Sequence, residues 1–235
     1  MNATTKIVLI LSLLVFSNIV YAQKQPKKRF SSDIHFGFNL AEMEAKTGNE
    51  NNDLKLGVHI GVNFNYKIIG NFQVQSGLFV SKKGLKQHIT ETTEDVGGVV
   101  TDVYESWTDA TGNYIQIPFN VGYEWYFSKN WAVNINGGLY AAYGYKGKTT
   151  ERSRSVRYNG SEPPITEETP ETEKETFYQI NGWKRFDYGL NGSVGLIYDI
   201  YTLNINYERG LYNVSNSYGK NLKNRNFTVS LGFRF

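Results

Sequence analysis

Residues 56–66 read LGVHIGVNFNY, and large apolar side chains occupy every second position of this stretch. All six alternate positions from Leu56 to Tyr66 are apolar, whereas none of the five residues between them is. Successive side chains of a β-strand point to opposite faces. This period of two therefore predicts a strand with one apolar face and one polar face.

The same alternation recurs in seven further segments, which are 34–40, 72–80, 113–125, 131–145, 186–196, 203–211 and 227–235. A tilted strand needs about 9–11 residues to cross a bilayer, and most of these segments are long enough. The sequence therefore predicts eight strands.

The connections between these segments alternate between short and long. The short ones lie near 67–71, 126–130 and 199–200, and the long ones at 42–54, 85–113, 146–184 and 213–225. Outer-membrane barrels have short periplasmic turns and longer external loops, with aromatic residues at both ends of the strands. We expect an all-β fold, a closed eight-stranded antiparallel up-and-down transmembrane β-barrel with long extracellular loops.

Alternation alone does not say which face points inward, because a soluble lipocalin-like barrel would enclose its apolar face. The polar face is rich in Gly, Asn, Ser and Gln, which suit the narrow interior of an eight-stranded barrel. It also carries four charged residues, Glu124, Asp187, Glu208 and Arg234, with Lys83 expected near the rim. We expect these charges to pair across a filled lumen that leaves no open pore.

The N-terminus reads as a secretory signal peptide. Residues 1–22 contain Lys6 followed by the apolar run 7–16, which is too short to span a bilayer. Residues 23–29 form a basic periplasmic leader, and residues 30–235 form the barrel. The expected location is the outer membrane of a Gram-negative cell.

Composition excludes several classes of function. The chain has 235 residues and a formal net charge of +3, too slight to indicate nucleic-acid binding. It contains no cysteine, which excludes disulfides, zinc–thiolate sites, cysteine nucleophiles and a lipoprotein anchor.

Pro118 interrupts the strand pattern of residues 113–125. Proline has no N–H for a sheet ladder, and a closed barrel has no edge strand to accommodate it. We therefore predict a local irregularity at residues 117–119 within a continuous strand.

The sequence offers little for catalysis. His35 and His59 fall on the polar face, the wrong parity for a lipid-facing hydrolase. The one acid–histidine cluster comprises His88, Glu91, Glu94 and Asp95, and its composition is typical of a solvated loop. We expect no catalytic, cofactor-binding or metal-binding residues.

The connection 146–184 is divided by charge. Residues 146–157 hold five basic residues and one acidic residue, and residues 162–175 hold six acidic residues and one basic residue. The connection is compatible with a flexible solvated loop, with a hairpin whose halves form screened ion pairs, or with a docking surface.

Three residues are candidates for contact with the membrane environment. Lys82 and Arg209 point outward near the outer rim, where they can meet lipopolysaccharide phosphates or extend to the interface. Phe235 ends the last strand and suits recognition by the barrel-assembly machinery.

Five short motifs occur in order along the chain: FGFN at 36–39, VSKKG at 80–84, YIQIP at 114–118, FDYGL at 186–190 and YERGL at 207–211. Together they resemble the PorT-like outer-membrane β-barrel family over essentially all of residues 30–235. The resemblance implies an eight-stranded barrel without catalytic residues. It also implies a link to a secretion system that exports proteins across the outer membrane.

We therefore expect a non-enzymatic protein with a structural, docking or secretion-associated role through its external loops. Its expected partners are outer-membrane lipids, lipopolysaccharide, the barrel-assembly machinery and a secretion-system or surface protein. The alternatives are a barrel enzyme acting on lipid or peptide and a soluble lipocalin-like carrier.

Overall fold

The computed structural model describes residues 29–45, 51–95, 99–159, 162–177, 182–217 and 221–235. The strands of this part of the chain are β1 Phe30–Ala45, β2 Asn51–Asp53, β3 Lys55–Ile69, β4 Phe72–Glu94, β5 Val100–Tyr126, β6 Trp131–Arg157, β7 Ile165–Lys174, β8 Phe186–Tyr198, β9 Tyr201–Gly210 and β10 Leu222–Arg234. The predicted signal peptide, and the predicted leader apart from Arg29, lie outside the described residues. Within these ranges, no helix has the length and apolar character needed to cross a membrane.

Eight of the strands form a closed antiparallel ring in the order β1, β3, β4, β5, β6, β8, β9, β10. The pairing of β10 with β1 closes the ring. Tight turns join β3 to β4 and β8 to β9, where Gly70 and Asp199 adopt positive φ angles of 59° and 52°. The prediction of eight antiparallel up-and-down strands is confirmed, and β2 and β7 are additions outside the ring.

The apolar face of the ring points outward and its polar face points inward. On β8, Phe186, Tyr188 and Leu190 are exposed, whereas Asp187 between them is fully buried. The other ring strands repeat this pattern, so the enclosed residues are mainly polar. A lipocalin-like carrier requires the opposite arrangement, and this alternative is therefore wrong.

The prediction that residues 85–113 and 146–184 form long loops was wrong. β4 continues to Glu94, and β5, which begins at Val100, pairs with it along this extension. β6 continues to Arg157 and pairs there with β7. These extensions are mainly polar on both faces, because water surrounds them, so they lack the regular apolar alternation that identifies a strand from sequence.

Pro118 lies within β5, as predicted, and it interrupts the ladder to β4. The β4–β5 pairing passes from Ser76 and Phe119 directly to Phe79 and Gln116, and the two intervening pairs are missing. The register is unchanged across the gap, so this irregularity is not a bulge. The Ser76 hydroxyl donates a hydrogen bond of 2.9 Å to the Pro118 carbonyl oxygen.

Candidate functional site

Two clusters of charged side chains cross the interior of the ring. The lower cluster surrounds Arg234, whose Nε and Nη2 donate to the two carboxylate oxygens of Asp33 at 2.6 and 3.0 Å. Its Nη1 donates to Glu124 Oε2 at 2.6 Å. Glu124 also accepts from Lys67 at 2.8 Å and from the Tyr126 hydroxyl. Because β10 and β5 are four strands apart in a ring of eight, Arg234 ties opposite walls together.

The upper cluster surrounds Lys83, a fully buried residue of β4. Its Nζ lies 3.0 Å from Glu208 Oε2, 3.9 Å from Asp187 Oδ2 and 4.5 Å from the centre of the Tyr140 ring. Tyr140 donates its hydroxyl to Asp187 at 3.0 Å, and Gln116 donates to Glu208 at 2.6 Å. Opposite charges and hydrogen bonds thus offset the cost of burying three ionisable groups.

The structure places all four predicted lumen charges inside the ring, but in two separate clusters. Arg234 meets Glu124, whereas Glu208 and Asp187 meet Lys83. Lys83, expected near the rim, lies three residues before the arm begins and is fully buried beneath the cap. Asp33, Lys67, Tyr126 and Tyr140 also take part in these clusters and were not predicted, although their parity on the polar face is the signal that identifies them.

A small chamber of about 40 Å³ lies within the ring and is lined by His35, His59, Phe79, Asn191 and other polar side chains. The His59 ring stacks on Phe79 with centroids 4.6 Å apart. His59 Nδ1 and Asn191 Oδ1 are buried without a hydrogen-bond partner within the described residues, so bound water suits both. The chamber has room for only a few water molecules, and charged and neutral polar side chains fill the rest of the lumen.

An apolar cap covers the upper charged cluster. We define the cap as the side chains of Met43, Leu85, Ala110, Tyr114, Tyr140, Ala142, Phe177, Trp183 and Val214. The ring strands contribute most of these, but Phe177, Trp183 and Val214 come from the connections that follow β7 and β9. Phe177 meets Tyr114 edge-on at 5.5 Å and Trp183 at 6.4 Å. The cap therefore separates the lumen from the space above it.

Beyond the cap, β4, β5 and β6 continue and, together with β7, form a projecting sheet. We call this sheet the arm and define it as residues 86–94, 100–109, 147–157 and 165–174. At about 3.4 Å per residue, its β5 portion extends roughly 30 Å. A one-residue register shift marks its base, where Tyr145 is the extra residue of a β-bulge on β6.

Opposite charges face each other across β6 and β7. Ion pairs join Lys148 to Glu173, Arg154 to Glu168 at 3.8 Å and Lys174 to Glu151 at 2.8 Å. Of the readings considered for this connection, the structure shows the hairpin, and its ion pairs are exposed. The outermost strand, β7, is exposed at all ten positions.

The acid–histidine cluster expected at His88 does not form as such. The His88 ring stacks on Trp107 at 4.9 Å, and its Nε2 lies 3.9 Å from Glu105 on the neighbouring strand. Glu91, three residues further along β4, points to the opposite face. Arg152 covers Trp107 at 4.6 Å, which makes this cluster a packed feature of the arm surface.

The structure does not bring Lys82 and Arg209 together. Both are exposed, but β4 and β9 stand four strands apart in the ring. Arg209 instead lies near Arg225, and both contact Glu44, at 3.9 and 2.8 Å. At the other end of the ring, the backbone of Phe235 exchanges two hydrogen bonds with Ser32 of β1, at 3.2 and 2.8 Å.

Comparison with known proteins gives one family match. The model of the outer membrane protein beta-barrel domain matches residues 21–216. No curated protein matches the chain.

Similar solved structures include Ail, the attachment invasion locus protein of Yersinia pestis (11% identity, 88% of this chain, 100% of that chain, TM-score 0.35). They also include OprG of Pseudomonas aeruginosa (10% identity, 88% of this chain, 97% of that chain, TM-score 0.41). A third is the outer-membrane protease OmpT of Escherichia coli (10% identity, 91% of this chain, 99% of that chain, TM-score 0.42).

Proposed function

The chain belongs to the outer membrane protein beta-barrel domain family, and we propose that it is a closed, non-enzymatic docking protein. The family places it in the outer membrane, with the apolar face of its ring against lipid. Within the family we assign it to the PorT-like group, with a secretion-associated role. The two transluminal charged clusters and the cap support a function on the arm rather than transport through the lumen.

The exposed edge of β7 is the observation that carries this proposal. Within the described residues β7 pairs with β6 alone, so its other edge offers free backbone N–H and C=O groups. Such an edge can accept an extended segment of another protein as an added strand. Pro170 interrupts the edge and limits self-association.

Charge identifies the chemistry of the partner. β7 carries four glutamates, Glu167, Glu168, Glu171 and Glu173, against a single Lys174. Its acidic side chains are exposed, and only two of the four glutamates have an ion pair with β6 in the described structure. We infer that the partner presents an extended basic segment, since complementary charge steers association and fixes register.

The geometry at His88 supports the non-enzymatic part of the proposal. A general base must reach the proton that it abstracts and be oriented by a third group. The His88 ring is stacked against Trp107, and its nearest carboxylate, on Glu105, lies 3.9 Å away, beyond hydrogen-bond distance.

Photo-cross-linking in intact cells tests the docking proposal. A photoreactive amino acid at Thr169 on β7 is expected to capture a protein with a basic extended segment, whereas the same probe at Thr92 on β4 is the matched control. Glutamine substitutions at all four glutamates of β7 should abolish capture without changing the migration of the unboiled protein on gels. Capture that survives these substitutions, or no capture at Thr169, rejects the proposal.

We also propose that the outer rim contacts lipopolysaccharide phosphates. Arg209 and Arg225 lie on adjacent strands and share Glu44, which makes them a better phosphate site than the isolated Lys82. Arg209→Ala is expected to reduce lipopolysaccharide co-purification more than Lys82→Ala does. Equal co-purification of both variants and the unmodified protein rejects this proposal.

A further inference from the structure

A second cavity lies above the cap, at the base of the arm. Its volume is about 110 Å³, well beyond the ~10–15 Å³ that a single water molecule needs. Its walls are the inner face of the arm and the segments around Trp183 and Ser215. The cap lies beneath it, so a ligand reaches this cavity from the side of the arm and not through the lumen.

Two rungs of cross-strand neighbours form the arm wall of the cavity. The lower rung joins Leu85 and Ala110 of the cap to Thr149 and Lys174 of the arm, and the upper rung joins Gln87, Thr108 and Glu151. The wall therefore has an apolar part, Leu85 and Ala110, at one end of the lower rung, and its remaining side chains are polar. A matching ligand has one apolar face and a rim of hydrogen-bonding groups.

The opposite wall is fixed by hydrogen bonds. The Trp183 backbone N–H donates to the Thr176 carbonyl at 2.8 Å, and Asn216 donates to the Gly182 carbonyl at 2.9 Å. The Thr176 hydroxyl donates to the Thr111 carbonyl at 2.8 Å and lies 3.0 Å from the hydroxyl of Thr149. This wall is thus tied to β5 and β6, which makes the cavity preformed.

Charge within the cavity disfavours anionic ligands. Glu151 and Lys174 form an ion pair of 2.8 Å, and Glu175 adds a second carboxylate. Glu175 accepts a hydrogen bond of 3.0 Å from the Gly147 backbone N–H. With two carboxylates and one ammonium group, the site suits neutral or amino-bearing ligands.

We propose that this cavity binds one terminal sugar unit of a glycan, in neutral or amino form. A sugar ring presents C–H groups on one face and hydroxyls around its edge, which matches apolar lining residues bordered by polar side chains. Leu85, Trp183 and Leu222 supply the apolar contacts, since aromatic rings and C–H groups pack favourably. Thr108, Ser217 and Glu151 supply donors and acceptors for the hydroxyls.

Saturation-transfer NMR on the full protein in detergent micelles tests this site. The probes are N-acetylglucosamine, galactose and glucosamine at millimolar concentrations, which suit weak binding. At least one is expected to receive saturation from the unmodified protein. Thr108→Leu, which fills the cavity, should abolish the signal, and the nearly isosteric Glu151→Gln should reduce affinity at least severalfold.

Thr90→Leu is the matched control, because Thr90 lies on the outer face of the arm, away from the cavity. This variant should bind the sugars as the unmodified protein does. Migration of the unboiled protein on gels identifies variants whose ring is intact. If Thr108→Leu fails to fold, Glu151→Gln alone tests sugar binding at this cavity. Absence of saturation transfer to all three sugars, or transfer unaffected by Glu151→Gln, overturns the proposal. Neither result bears on docking at β7.

Discussion

The ring and the arm are built from the same strands under different rules. β4, β5 and β6 run through both, yet in the ring their outward residues are mainly apolar and their inward residues polar. In the arm both faces are mainly polar and the charges are exposed. A strand surrounded by lipid must form all its backbone hydrogen bonds within the protein and must present apolar side chains to the lipid. A strand in water does not need apolar side chains on its outer face.

The ring and the arm therefore maintain the pairing register of their strands in different ways. In the ring, a slip of one residue would place lumen charges against lipid, so the membrane itself enforces the pairing. In the arm, a slip changes only which exposed side chains face each other. Continuity with the ring strands and cross-strand ion pairs therefore set the arm register, and we expect substitutions there to cost much less.

Lys83 and Lys82 give the largest contrast. Lys83→Ala leaves the carboxylates of Glu208 and Asp187 buried without their cation, and we expect a loss of about 3–5 kcal/mol in the free energy of unfolding. Lys82→Ala, one residue away on the outward face, should have little effect. Denaturant unfolding in micelles, followed by tryptophan fluorescence, measures both. Similar midpoints for the two variants would contradict the role of the upper cluster.

Assembly in cells gives the second contrast. Phe235 pairs with Ser32 where the last strand meets the first, and deleting it should lower the outer-membrane level severalfold. Replacing residues 90–105 with a short turn removes the tip of the arm and should leave that level unchanged. Quantitative immunoblots of outer-membrane fractions test both changes. Loss of assembly after removal of the arm tip, or normal levels without Phe235, would contradict the distinction.

Pro118 allows a smaller test within the ring. Pro118→Ala restores a backbone N–H where the β4–β5 ladder is interrupted, and we expect stability to change by no more than about 1 kcal/mol, the net value of one hydrogen bond. The same unfolding assay in micelles applies. A larger loss would show that the proline ring itself is needed in this wall.

The smallest effect is expected in the arm. Lys148 and Glu173 form an ion pair although both side chains are more than half exposed, and surface pairs contribute about 0–1 kcal/mol. A double-mutant cycle with Lys148→Ala and Glu173→Ala should give a coupling energy within this range that decreases as salt is added. Coupling comparable to that of Lys83 and Glu208 would show that the arm is more than a solvated extension.

The same contrast explains what sequence could predict. Alternation such as that of residues 56–66 identified every ring strand, because lipid on one side and a polar lumen on the other impose it. Residues 147–157 carry no such pattern, so β6 was expected to end near Tyr145. The parity of Glu124 and Arg234 predicted their location, but their partners depend on which strands lie opposite.

The clusters, the cap and the cavity needed the three-dimensional structure. Asp33 lies beside Arg234 through strand pairing, whereas Glu124 reaches it from the opposite wall. Phe177, Trp183 and Val214 belong to irregular segments, and only their folding back over the ring brings them together. Such contacts are set by topology, which no local pattern records.

The β-bulge at Tyr145 changes which side chains of β6 face inward. Beyond it, the odd-numbered residues of β6 face the cavity, among them Thr149 and Glu151. If β6 instead continued in regular alternation through Tyr145, the even-numbered residues would take their place and bring Lys148 and Arg152 inward. The bulge therefore decides whether this cavity is lined by the Glu151 carboxylate or by the basic side chains of β6.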